Sequence, residues 1–179
     1  RDQPRARGLG DVYKRQAPTH TLCFLTSGEK VLMLYRDKEP NRGLWNGVGG
    51  RIEIGETPHD ACLREIREET GLYVTAARFA GLLTWCGITT TGVLALYTAP
   101  APSEKVSACD EGELRWHPKQ WVIRSSSVVS NIHIFGTELF NGAPPCIYHF
   151  NYDVNGQIQS YERQPLPSAF QASKYDINI

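Results

Sequence analysis

Apolar positions change period several times along the chain, and each change marks an element. Thr21–Leu25 and Lys30–Arg36 are apolar, partly β-branched runs that meet across Ser27-Gly28, which predicts a β-hairpin. A polar loop, Asp37–Gly43, follows, and then Trp45–Arg51 (WNGVGGR), whose glycines leave only loop or short strand. At Pro58–Thr70 the pattern becomes helical: at 3.6 residues per turn Cys62, Leu63, Ile66 and Thr70 share one face, which should pack on a sheet. Thr57 is a natural N-cap, Pro58 suits the first turn, Asp60 completes a capping box and Gly71 supplies the stop. Val74–Trp85, Val93–Thr98 and the shorter Glu113–Trp116 read as strands, with a turn-rich connector at Ala99–Ser103. Ile132–Phe140 predicts a short helix, and Ile147–Tyr152 with Gln157–Tyr161 a second hairpin across Asn155-Gly156. Strands outnumber helices without strictly alternating with them, so the fold class is α+β.

At 179 residues the chain suits one domain, and 41% hydrophobic with 21% charged residues is the make-up of a globular protein with a core. Residues 1–16 have no hydrophobic period; Arg7–Gln16 resembles translated adapter sequence, so this stretch is expected to be a non-native or disordered leader. Residues 17–162 are expected to form the domain, and 163–179 a loosely ordered polar tail. The 19 basic residues balance 19 acidic ones, and without the leader 14 basic face 17 acidic. That balance argues against nucleic-acid or anionic-membrane partners, which call for a basic excess. No apolar run is long enough to span a bilayer. Cys23, Cys62, Cys86, Cys109 and Cys146 are odd in number and scattered, which points to reduced thiols in a cytoplasmic protein. The five histidines lack metal-ligand spacing, so a metal would be held by oxygen.

The chemistry concentrates in Gly50–Leu72, GRIEIGETPHDACLREIREETGL. Glu65, Glu68 and Glu69 stand at i, i+3 and i+4, so like charges crowd one helix face at a cost of a few tenths of a kcal/mol per pair. Arg64 and Arg67 offset part of this, and a divalent cation would offset far more. Hard oxygen ligands in this grouping suit Mg²⁺ or Mn²⁺ bridged to substrate phosphates. Glu56 lies just before the helix, and the glycines at 47, 49, 50 and 55 allow close backbone approach. The plain alternative for such a run is a solvated acidic face. It is weakened here by the fixed offsets between glycine loop, capped helix and acidic triplet.

Gly50, Glu56, Arg64, Glu65, Ile66, Glu68, Glu69, Gly71 and Leu72 fill every fixed position of a pattern that resembles the Nudix hydrolase signature. The resemblance extends more weakly over Thr21–Tyr161 and implies a mixed β-sheet sandwiched between helices. It further implies that Glu65, Glu68 and Glu69 bind Mg²⁺ or Mn²⁺ with Glu56 in support, Gly50 being counted with the metal-binding positions. By the same resemblance Arg64 orients a glutamate by a salt bridge, and Glu111 is an auxiliary ligand or base unless it is merely a solvated loop carboxylate. The catalytic set is then Glu65, Glu68, Arg64 and Glu111, with the general base either Glu65 or Glu68.

The preceding WNGVGGR segment is similar to that of MutT-like 8-oxo-dGTP diphosphatases, in which the Asn reads a purine edge. This implies substrate contacts at Asn46, Gly49, Gly50 and Arg51, the last in place of the usual Lys. Asn131, leading into a helix, resembles the second base-reading segment, although a helix N-cap is an equal reading of it. Among the large aromatics, Trp121 and Phe135 are the candidates for the pocket wall, against the ordinary expectation that such residues are core. The reading that follows is pyrophosphohydrolysis of an oxidised purine dNTP such as 8-oxo-dGTP, by a monomer or homodimer. Alternatives are other Nudix substrates (dihydroneopterin triphosphate, ADP-ribose, a dinucleoside polyphosphate or a capped RNA end) and a non-catalytic nucleotide sensor. A sensor has no need to keep costly clustered acids, and all of them are intact.

Overall fold

The computed structural model describes residues 17–87 and 90–167. The expectations for residues 1–16 and for most of the 163–179 tail fall outside them. The described chain runs β1 (His20–Ser27), β2 (Lys30–Arg36), β3 (Trp45–Asn46), α1 (Pro58–Thr70), β4 (Arg78–Cys86) and β5 (Thr91–Pro100). It continues through β6 (Gly112–Pro118), α2 (Lys119–Val122), α3 (Ile132–Phe140), β7 (Cys146–Tyr152) and β8 (Ile158–Pro165). The strands form one mixed eight-stranded sheet in the order β3-β2-β1-β5-β4-β7-β8, with β6 paired along β2. The β1–β5 and β4–β7 pairs are parallel and the others antiparallel.

Strand alternation divides the core into two layers. Leu22, Phe24, Val31 and Met33 pack with Val122 of α2 and with Ile132, Phe135 and Leu139 of α3. Cys23, Leu25, Leu32 and Leu34 turn to the other side and meet Cys62 and Ile66 of α1. The sandwich of sheet between helices is therefore as the motif implied, and among the described residues no helix is long and apolar enough to cross a membrane. All five cysteines are free thiols.

The predicted first hairpin forms and then splits. β1 and β2 pair only at Thr26–Val31 and Ser27–Lys30. Beyond that point the Trp45–Arg51 segment enters between them, bridging Tyr35 and Leu34 on one side and Cys23 and His20 on the other. Gly49, at φ +150°, makes this insertion possible, since a Cβ there would stand 2.2 Å from the Thr21 carbonyl oxygen.

Three boundaries differ from the sequence reading. The strand expected from Val74 begins at Arg78, because the Ala77 N–H donates to Nε2 of buried His59 and not to a ladder partner. β8 continues past Tyr161 and past the expected domain end at 162, where the Arg163 guanidinium meets Glu138 at 2.8 Å. The four-residue α2 was not anticipated, being too short to show a period.

Helix α1 starts and stops where its signals stand. Thr57 Oγ1 accepts the Asp60 N–H at 3.1 Å, and Gly71, at φ +72°, closes the C-terminus by donating to the Arg67 carbonyl. Thr57→Ala should lower unfolding free energy by about 1 kcal/mol in urea titrations. An unchanged midpoint would show that the cap contributes nothing to the folded state.

Candidate active site

The acidic triplet divides by burial. Glu68 lies in solvent, Glu65 is partly buried, and Glu69 is buried at 6% relative exposure. Glu69 is held by the inserted loop, whose Gly49 N–H donates to its Oε2 at 2.8 Å. Burial, with Glu65 and Glu111 nearby, pushes its carboxyl up to about 8. Burial also raises Glu65 above the usual carboxylate range, against the opposing pull of Arg64. The carboxylate of Glu65 rests where a Gly50 side chain would be, a Cβ there lying 2.5 Å from its Oε1. The glycine at 50 thus makes room for the Glu65 carboxylate.

Arg64 ties the cluster together. Its Nε and Nη2 grip Glu56 at 2.7 and 3.0 Å, and Nη1 reaches Glu65 at 2.8 Å and Glu68 at 3.1 Å. Nη2 also donates to the Arg51 carbonyl at 2.9 Å. Both Glu56 oxygens are committed, since Oε2 accepts the Glu53 N–H as well, and the guanidinium holds its carboxyl below the usual range. The structure therefore places Glu56 as the partner of Arg64, away from the acidic cleft.

The opposite wall comes from the connector between β5 and β6. Its Ser107 N–H donates to the Thr70 carbonyl at the end of α1, and the Asp37 N–H donates to the Glu111 carbonyl. Glu65, Glu68, Glu69 and Glu111 then line one cleft of about 230 Å³, with Ala108, Cys109 and Asp110. Arg36 Nη1 stands 3.2 Å from Glu111 Oε2, and Lys38 is at 4.0 Å. Neither cation was singled out from sequence, since no spacing distinguishes them from ordinary strand-end charges.

Five carboxylates on one cleft, two of them driven toward the neutral form, are a donor set of hard oxygens suited to Mg²⁺ or Mn²⁺. As the side chains stand, Arg64 draws Glu65 and Glu68 toward itself, and no three acidic, His or Cys groups among the described residues converge on one ion position. The Gly50 carbonyl accepts the Thr21 N–H at 2.8 Å. The Arg51 side chain is exposed.

The other predicted substrate residues fall into two groups. Trp45 pairs with Val128, its N–H donating to Ser127 and its carbonyl accepting from Val129, which brings the segment leading to Asn131 alongside β3. Asn46 Oδ1 accepts the Gly47 N–H at 2.9 Å. Asn131 does not cap α3 with its side chain; its Nδ2 donates to the Tyr152 hydroxyl at 3.1 Å. Phe135 is no pocket wall, being fully buried between Phe24 and Tyr148. Trp121 is half-buried, stacks on His117 at 3.9 Å and meets the edge of Trp45. Tyr152 had no sequence signal, because only folding carries the end of β7 to Asn131.

Comparison with known proteins agrees with this architecture. The NUDIX domain model matches residues 17–132. Over 156 residues the chain is 31% identical to an uncharacterized Nudix hydrolase, YvcI, of Bacillus subtilis, covering 81% of this chain and 93% of that one. Two shorter matches span less than half of their relatives. The oxidized purine nucleoside triphosphate hydrolase of Mus musculus is 36% identical over 62 residues, 35% of this chain and 40% of that protein. The dihydroneopterin triphosphate diphosphatase of Escherichia coli K12 is 37% identical over 65 residues, 36% of this chain and 42% of that protein. Among solved structures, the mutator MutT protein of Bacillus halodurans superimposes with a TM-score of 0.72 at 25% identity, covering 83% of this chain and 98% of that one.

The burial of Glu69 has a measurable sign. Its carboxyl keeps a proton up to about pH 8 when folded but only to about 4.5 when unfolded. Across that window unfolding releases a proton, so stability falls as pH rises, by on the order of 1 kcal/mol per pH unit. Glu69→Gln keeps an acceptor for the Gly49 N–H and removes the titration. In metal-free buffer its melting temperature should therefore gain on that of the unmutated protein between pH 5 and pH 9. A constant difference across that range would mean that Glu69 is ionised throughout.

Proposed function

Because the chain belongs to the Nudix family of hydrolases, we propose that its acidic cleft cleaves the triphosphate of an oxidised purine nucleotide such as 8-oxo-dGTP, giving the monophosphate and pyrophosphate. Enzymes of this family act on nucleoside-diphosphate-linked substrates, and the finer reading rests on one observation. The Trp45–Val128 pairing sets Asn46 and the Asn131 segment side by side, and Gly49, which holds Glu69, is three residues from Asn46. Three residues of extended chain span about 10 Å, the scale of a nucleotide laid from base to phosphates.

In this reading Glu68 and Glu69, with Glu111 opposite, would hold Mg²⁺ or Mn²⁺, which would supply charge neutralisation on the phosphates and leave Glu65 free. Glu65 takes the proton from the attacking water, because burial makes its carboxylate a stronger base than an exposed one. The oxygen of that water joins phosphorus as the bond between the α- and β-phosphoryl groups breaks, and pyrophosphate leaves. Arg64 aims Glu65 and Glu68 while Glu56 holds Arg64. The free thiols accord with a cytoplasmic setting.

A panel of 8-oxo-dGTP, dGTP, dATP, dihydroneopterin triphosphate and ADP-ribose, assayed with Mg²⁺, tests the reading. The expected result is pyrophosphate release with the highest kcat/KM on 8-oxo-dGTP. Asn46→Ala and Asn131→Ala should each lower the 8-oxo-dGTP to dGTP ratio by about 10- to 100-fold, as loss of a buried hydrogen bond does. Highest kcat/KM on dihydroneopterin triphosphate, whose 2-amino-4-oxo edge matches the 2-amino-6-oxo edge of guanine, would replace the oxidised purine with a pterin.

A further inference from the structure

The cations around the acidic cleft differ in how far they are committed. Arg64 spends its guanidinium on Glu56, Glu65, Glu68 and the Arg51 carbonyl. Arg36, whose side chain is 14% exposed, donates from Nε to the Pro40 carbonyl at 2.8 Å and sets Nη1 against Glu111 Oε2. Lys38 is different. Its amine stands 4.0 Å from Glu111 Oε1, beyond hydrogen-bond reach, and its side chain is 58% exposed. An exposed pair at that separation adds little to stability, so the fold does not depend on this charge. The fold nevertheless fixes where the charge stands. The Asp37 N–H donates to the Glu111 carbonyl, the Gly43 N–H to the Arg36 carbonyl and the Leu44 N–H to the Asn41 carbonyl, which folds the Asp37–Gly43 loop back on itself. Lys38 is thereby held at the Glu111 wall of the cleft, across from the carboxylates of α1.

We propose that Lys38 binds the leaving pyrophosphate, its amine passing from Glu111 to the departing phosphates. The inference rests on the reading above for the bond that is cut, and is independent of the base. As the water oxygen joins the α-phosphorus, the bond from that phosphorus to the bridging oxygen breaks, and its electron pair leaves on pyrophosphate. Negative charge therefore grows on the leaving group, and the five carboxylates of the cleft oppose it. An amine on a flexible stem, with three donors and no hydrogen bond of its own among the described residues, can follow that charge as it departs. Lys38 supplies charge and hydrogen bonds and transfers no proton. Arg36 stays on Glu111 Oε2, so Glu111 keeps a cation when Lys38 turns away.

The test is calorimetric binding of pyrophosphate and of dGMP to the full chain with Mg²⁺, beside hydrolysis of the best triphosphate in the substrate panel. Lys38→Ala should weaken pyrophosphate binding about tenfold and dGMP binding less than about twofold. It should also lower kcat/KM about tenfold, with most of the loss in kcat, because the charge it answers grows during the reaction. Lys38→Arg keeps a cation and should recover most of the pyrophosphate affinity, and the urea midpoint of Lys38→Ala should match that of the unmutated protein. Unchanged pyrophosphate affinity in Lys38→Ala, or equal losses for pyrophosphate and dGMP, would overturn this role while the unmutated protein still releases pyrophosphate. Release of orthophosphate from the triphosphate by the unmutated protein would overturn the cleavage reading itself, and this role with it.

Discussion

Crowding of negative charge is the constraint around which the molecule is arranged. Glu65, Glu68, Glu69 and Glu111 face one cleft, and such a group folds only if each charge is answered or suppressed. Three different answers are used. Arg64 spans Glu56, Glu65 and Glu68; burial keeps Glu69 protonated against the Gly49 amide; Arg36 and Lys38 stand at Glu111. Each depends on a different part of the fold, namely the helix, the inserted loop and the β2–β6 ladder. The cleft is therefore a property of the whole sheet-and-helix arrangement, although most of its carboxylates come from one short stretch.

The helix was legible because its signals are local. Thr57, Pro58, Asp60 and Gly71 act within a few residues of where they stand, and α1 runs over the range they mark. The sandwich was legible through alternation in β1 and β2, which sends Phe24 and Met33 to one layer and Leu25 and Leu32 to the other. Of the site, the acidic triplet and Arg64 could be read because i, i+3 and i+4 spacing is a property of the helix itself. The burial of Glu69 could not be, since it depends on the glycine loop returning over the helix from between two strands.

The partners of single side chains were unreadable for the same reason. Phe135 has the composition of a pocket wall but belongs to the core, because helical phase turns it toward Phe24. Glu56 satisfies the spacing of a ligand, yet both its oxygens are taken by Arg64 and Glu53. Asn131 sits where an N-cap would, and its side chain goes to Tyr152 in a strand that begins fifteen residues downstream. In each case sequence supplied the residue type and tertiary contacts chose among its partners.

The segment inserted between β1 and β2 bears on the thermodynamics of binding. Loops that grip a ligand are usually ordered by it, and that ordering subtracts from affinity. Here Trp45–Arg51 is pinned on both sides by main-chain hydrogen bonds, at Cys23–Val48, Thr21–Gly50 and Trp45–Ser127, before any ligand arrives. Its entropy is lost when the chain folds, as part of the same cooperative event that forms the sheet. A ligand meeting this loop finds a surface already rigid, so little of its contact energy is diverted into freezing the protein.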